Sequence, residues 1–141
     1  MTRILIDTDV ILDFFFDRQP FAENASKFFS LCESKKITGF VTPVIISNVY
    51  YLLRQSAKHE KVIEKLKLLV SITELVVMDK EVVTQALNSD FKDFEDALQN
   101  YSAELHKEID LIITRNTKDF KNSKLAVMTP DNYIKSIVPT T

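Results

Sequence analysis

Carboxylates are the residues of this chain best suited to chemistry, and they gather in three places. Asp7, Asp9 and Asp13 follow the apolar run Arg3-Ile4-Leu5-Ile6. Asp93 and Asp96 stand three apart in SDFKDFEDALQNY, while Asn116 and Asp119 lie in ITRNTKDF. A carboxylate at the end of a core strand is costly unless something compensates its charge. Clustered carboxylates repel unless a cation neutralises them, and hard oxygen ligands select Mg²⁺ or Mn²⁺ over zinc. Such a set suits metal-assisted hydrolysis, and the distribution of bases suggests a phosphodiester as its target. Residues 7–17 hold four acids and no base, and residues 79–96 hold six acids against two lysines. By contrast, residues 54–67 hold five bases, among them Arg54 and Lys58, and residues 115–124 hold four, among them Arg115 and Lys118. The net charge of −2 conceals this segregation.

Composition removes other chemistries. The 141 residues, 45% hydrophobic and 10% aromatic, fit a single globular domain spanning 1–141 with a sizeable core. A dinucleotide fingerprint needs three glycines and a P-loop two, but the chain has only Gly39. Two histidines and one cysteine make a structural zinc site improbable, and the lone Cys32 suits a reducing cytoplasm. No apolar stretch approaches the ~20 residues that span a bilayer.

The elements that must position these acids alternate. Strands are expected at 3–6, 37–41, 74–78, 109–114 and 125–128. Helices are expected at 9–16, 21–35, from Thr42-Pro43 through VIISNVYYLLRQ, at 59–70, 80–88 and 93–106, and from Thr129-Pro130. Strands separated by helices imply right-handed crossovers and a mainly parallel sheet of about five strands, covered on both faces as an α/β/α sandwich. Function in such sheets collects outside the carboxyl ends of the strands, where Asp7 and the 114–119 loop both fall. On the helix near Asp93, spacing predicts a buried stripe of Phe94, Leu98, Tyr101 and Leu105, with Asp93 and Asp96 on another face. Asp90, Asp93 and Glu95 read as capping and dipole-compensating acids, and Asp96 as the one drawn inward. Capping suits Asp9 better than Asp7. Phe14, Phe15 and Phe16 cannot all point inward from one helix, so at least one meets a partner or another helix.

Asp7-Thr8-Asp9, Asp96 on its helix, and Thr114-Arg115-Asn116-Thr117-Lys118-Asp119-Phe120 together closely resemble the PIN domain family, most of all its bacterial, VapC-like members. The resemblance implies a PIN-like fold and a Mg²⁺- or Mn²⁺-dependent endoribonuclease acting on single-stranded RNA, many relatives being toxins held by an antitoxin. It implies that Asp7, Asp96, Asp119 and Asn116 form the catalytic, metal-holding set. Thr8 and Thr114 match its small hydroxyl positions. Asn48 stands where a glutamate is usual, and Asp9, where a small polar residue is usual, partly restores the charge as a further ligand. Asp93 and Asn48 then have supporting roles, with Arg54, Lys58, Arg115 and Lys118 contacting RNA. The apolar runs RILIDTDVILDFFFD and VYYLL offer surface for a homodimer or an antitoxin helix. Two alternatives come from other classes. One is a catalytically weakened PIN domain that binds RNA or protein, suggested by Asn48. The other is a haloacid-dehalogenase-type phosphatase with Asp7 as nucleophile, disfavoured because no glycine follows Gly39 for its later acidic motif.

Overall fold

The computed structural model describes residues 2–137. Five strands form one sheet: β1 (Arg3–Ile6), β2 (Thr38–Val41), β3 (Glu74–Leu75), β4 (Leu111–Ile113) and β5 (Ala126–Met128). Their order is β3-β2-β1-β4-β5, and every pairing is parallel, as expected when each connection carries a helix. The helices are α1 (Thr8–Phe15), α2 (Ala22–Glu33), α3 (Pro43–Arg54), α4 (His59–Ile72), α5 (Lys80–Leu87), α6 (Phe94–Leu105) and α7 (Pro130–Ile137), with a 3-10 turn at Thr117–Phe120. Strand order reverses at β1, whose neighbours are β2 on one side and β4 on the other. The crevice at the carboxyl ends of β1 and β4 is therefore the switch point of the sheet.

Ile4, Leu5, Ile6, Phe40, Ile112 and Ile113 are fully or almost fully buried, and α1 to α4 pack Val10, Phe28, Ile45 and Leu69 onto them. A Cβ on Gly39 would stand 2.8 Å from both Cys32 Sγ and Ile6 Cδ1, so the one glycine lets α2 approach the sheet closely. The three consecutive phenylalanines diverge. Phe14 packs on Phe29 of α2 at 5.0 Å between centroids, Lys65 of α4 lies 5.3 Å over Phe15, and Phe16 is exposed.

Two expectations change. The third strand shortens to two exposed residues because it pairs only with β2 at the sheet edge. In α6 the buried residues are Ala97, Gln99, Asn100, Ser102 and Ala103, whereas Phe94 is exposed and Leu98, Tyr101 and Leu105 are half-buried. Small and amide side chains let this helix lie close to its neighbours. Thr42 Oγ1, at the N-cap of α3, meets Gln99 Oε1 at 2.6 Å in the buried seam between the two helices.

Candidate active site

β1 delivers Asp7 to the switch point. Its backbone N–H still bonds to Ile113 O (3.0 Å), so the strand pairing with β4 fixes where its side chain begins. Asp7 is the N-cap of α1, its Oδ1 accepting from Thr8 N at 2.8 Å. Its Oδ2 accepts from Thr114 Oγ1 at 2.8 Å, which ties β1 to the residue that ends β4. Asp9 does not cap the helix, contrary to expectation. Its Oδ2 reaches across the crevice to accept from Arg115 N (3.1 Å) and Asn116 Nδ2 (3.0 Å). The capping roles exchange because Asp7 alone has extended backbone at the helix start, while Asp9 already lies in the first turn and projects sideways. Among the described residues, Asp9 Oδ1 and Thr8 Oγ1 are buried and without a partner.

The 114–119 segment is thus held by two aspartates of the first loop. Asn116 N also bonds back to Thr114 Oγ1 at 3.0 Å, and the 3-10 turn begins with Asp119 N on Asn116 O. Across the crevice stands α6. Asp93 caps it, its Oδ1 accepting from Asp96 N at 2.9 Å, so the capping role expected for Asp93 is the one it has. Asp96 is half-buried. Asn48 of α3, expected in a supporting role, gives Nδ2 to Glu95 Oε1.

These acids act on one another. Burial raises the Asp7 pKa above its ordinary value, against the Thr114 and Thr8 hydrogen bonds, with Glu95 and Asp119 adding to the rise. Asp9 is pushed up to about 6, by burial first and then by Asp7. Asp96 is pushed up to about 7 by burial and by Asp7, Asp93, Asp119 and Glu95 in turn. Burial and Asp93 raise Glu95. The charges acting most strongly on Asp7 and Asp96 are all carboxylates. Asp93, Asp96 and Asp119 open onto a cleft of about 300 Å³ that Lys92, Lys118 and Lys121 share.

The structure therefore brings Asp7, Thr8, Asp9, Asn48, Asp93, Asp96, Thr114, Asn116 and Asp119 to one edge. Lys118 joins them. Arg54 and Lys58 do not, for Arg54 ends α3, roughly 9 Å along its axis beyond Asn48, and Lys58 follows it at the start of α4. Arg115 is committed elsewhere. Its Nε and Nη2 bond Asp13 at 2.7 and 3.1 Å, and its guanidinium stacks 4.0 Å over Phe21. Glu95, Lys92 and Lys121 belong to this region although the sequence marked none of them as a site residue. The signal for Glu95 was its place four residues before Gln99, on the helix line that faces α3.

Among the described residues, no three carboxylate, histidine or cysteine side chains converge closely enough to hold a metal ion between them. The side chains gathered here nevertheless offer donors of the chemical kind a hard divalent cation takes. They are oxygen ligands, they are crowded with like charge, and among the described residues they include a buried carboxylate oxygen with no partner.

The family model for the PIN domain matches residues 3–118. No curated protein matches the chain. Among solved structures, VapBC2 from Rickettsia felis, bound to a DNA fragment from its promoter, is similar with a TM-score of 0.65 at 16% identity, over 89% of this chain and 97% of that one. A toxin-antitoxin complex from Klebsiella pneumoniae gives 0.67 at 20% identity, over 90% and 97%. VapC20 of Mycobacterium tuberculosis, a sarcin-ricin loop cleaving toxin, gives 0.59 at 16% identity, over 77% and 86%. At these identities the likeness is one of fold.

Proposed function

The chain belongs to the PIN domain family, and we propose that it is an endoribonuclease that cleaves single-stranded RNA with Mg²⁺ or Mn²⁺. The observation that carries this reading is the set of Asp7, Asp96 and Asp119 at the sheet's switch point, the first two half-buried and the third exposed, charged against one another beside a cleft rimmed by lysines. Asp7, Asp96 and Asp119 would hold the cation, with the Asn116 side-chain oxygen and Asp9 Oδ1 as further donors. When bound, such a cation activates water and neutralises charge that develops on a phosphate.

The chain's own residues do the rest. Thr114 and the Thr8 N–H hold both oxygens of Asp7 in fixed directions. Asp9 holds Arg115 N and the Asn116 amide, so the loop bearing Asn116 and Asp119 stays against α1. Lys92, Lys118 and Lys121 attract the RNA backbone into the acidic cleft, where carboxylates alone would repel it.

The Klebsiella structure is a toxin-antitoxin complex, and we extend to this chain the role of a toxin with an antitoxin partner. Exposed Tyr51, Leu68 and Leu87 offer apolar surface for that partner or for a homodimer. Among the described residues no helix is long and apolar enough to cross a membrane, and we place the protein's action in the cytoplasm.

Cleavage of a labelled single-stranded RNA with Mn²⁺ or Mg²⁺, comparing wild type with Asp7→Asn and Asp96→Asn, tests the activity. Metal-dependent cutting lost in both variants supports it. Equal background cutting in all three would move the reading to a PIN domain that binds RNA or protein without cutting.

A further inference from the structure

Arg115 offers more than the edge it gives to Asp13. Its two bonds to the Asp13 oxygens fix the plane of the guanidinium, and Phe21 lies against it, the guanidinium carbon 4.0 Å from the ring centroid. Phe21 leads into α2 and is 40% exposed. A lone exposed ring would need no explanation, but this one borders a cavity. Phe21 and Arg115 line a space of about 350 Å³ together with Asn24, Thr129, Pro130 and Asp131. Ligand pockets begin at roughly that size.

The cavity lies on the same edge of the sheet as the acidic crevice. Arg115 follows the end of β4 and Thr129 the end of β5, and Thr114 N donates to Met128 O at 3.0 Å between them. From Asp7 at the end of β1 to the end of β5 is two strand spacings, ~10 Å. Its charges are already paired, Arg115 with Asp13 and Asp131 with Lys135 at 3.1 Å. A phosphate entering it would face the Asp131 carboxylate and find no free cation in the lining, whereas Lys92, Lys118 and Lys121 border the acidic cleft. A flat, uncharged ring suits it better. Phe21 and Pro130 supply apolar surface, and the guanidinium supplies a planar cation. Polar atoms remain beside them. Thr129 Oγ1 accepts from Asn132 N at 3.1 Å, which leaves its proton to donate. Asn24 gives one N–H to Asp131 at 3.4 Å and keeps its carbonyl oxygen and second N–H.

We propose that this cavity holds one nucleobase of the RNA substrate, stacked against the Phe21 and Arg115 pair beside the nucleotide that meets the acids. The proposal rests on the ribonuclease reading above and deepens it. The lysines take the backbone, while the cavity takes a base, in the way unstacked RNA bases are held on rings and guanidinium planes. Arg18, 5.2 Å over the exposed ring of Phe16, sets a second cation and ring on the same loop, along which the strand continues.

The chain has no tryptophan, so Phe21→Trp places a single fluorescent reporter in the cavity wall. Binding is measured without divalent metal, using a labelled single-stranded RNA and an abasic ribose-phosphate oligomer of equal length. Circular dichroism checks that each variant is folded. RNA is expected to quench the Phe21→Trp chain, and the abasic oligomer to leave it bright. By anisotropy, Phe21→Ala is expected to bind RNA about tenfold more weakly than wild type, the loss of one stacked base, with the same slope against salt. Undiminished affinity of Phe21→Ala would overturn the proposal and leave the nuclease reading intact. So would RNA that is bound by anisotropy yet leaves the reporter bright, which would assign Phe21 to a protein partner or to shielding the Arg115 and Asp13 pair. Equal quenching by the abasic oligomer would make the cavity a phosphate site and overturn the proposal as well. Wild type that neither binds nor cuts RNA would overturn both readings.

Discussion

Two sets of buried carboxylates arise from the same first loop and helix, and they are treated oppositely. Asp13, wholly buried on α1, is met by Arg115 through two hydrogen bonds, and Arg18 stands 3.8 Å away. Planar, paired contact of this kind satisfies a buried charge fully. Asp7, six residues earlier and half-buried, accepts among the described residues from one hydroxyl and one backbone N–H, and its strongest charged neighbours are Glu95 and Asp119. Where the protein supplies its own counter-cation, the acid is structural. Where it withholds one, the acids are those we propose for a cation from outside. Arg115 joins the two sets, because its side chain serves Asp13 while its backbone N–H serves Asp9. The structural pair thereby anchors the loop that carries Asn116 and Asp119.

Substitutions can break this contrast, and the largest effect is expected at Asp7. Asp7→Asn should lower Mn²⁺-dependent RNA cleavage by about a thousandfold, the rate equivalent of several kcal/mol of lost charge stabilisation. The same variant, without metal at pH 8, should melt no lower than wild type, because it removes a charge that burial disfavours. A clear drop in its melting temperature would show that Asp7 is as structural as Asp13.

The reciprocal change is Arg115→Ala. It strands Asp13 with only Arg18 nearby and should cost about 3 kcal/mol of stability in urea unfolding. If the loss is under about 1 kcal/mol, comparable to an exposed pair, the Asp13 contact is not the anchor described here.

Acidity sharpens the comparison further. Asp9 and Asp96, with folded values of about 6 and about 7, lie above their ordinary value of 3.8. The folded state therefore binds more protons than the unfolded chain between those limits, and stability falls as pH rises through them. Without metal, the melting temperature of wild type should drop between pH 5 and pH 8 by more than that of Asp96→Asn. Added Mn²⁺ should reverse the drop at pH 8, and its affinity should rise across the same window as the carboxylates lose their protons. Parallel curves for the two proteins would count against an uncompensated Asp96.

The smallest effects are expected at the rim. Lys118→Ala and Lys121→Ala should each raise KM a few-fold with little change in kcat. Each should also reduce the slope of RNA affinity against salt by about 0.7, the value for one lost contact to a single strand. An unchanged slope would place the RNA backbone elsewhere.

Much of this was set by the sequence alone. The alternation of short apolar runs with helical segments determined a parallel sheet, because only helical crossovers join parallel strands. The carboxyl-end rule then placed Asp7 and the 114–119 loop together before any coordinates. Composition excluded nucleotide-loop and zinc chemistries by the scarcity of glycine, histidine and cysteine. Tertiary structure decided what each acid does. Whether Asp7 or Asp9 caps α1 depends on the backbone angle at the end of β1, which is fixed by pairing with β4 and not by the local letters. Arg115 was expected to contact RNA, and only the fold brings Asp13, 102 residues away, against it. The stripe on α6 was misjudged because large apolar residues were counted, whereas close approach favours the small and amide residues that it buries. Glu95 shows the same limit most clearly. Its type and its place in the first turn suit a solvated acid, and exposed it is, but only the fold brings Asn48 of α3 to its carboxylate.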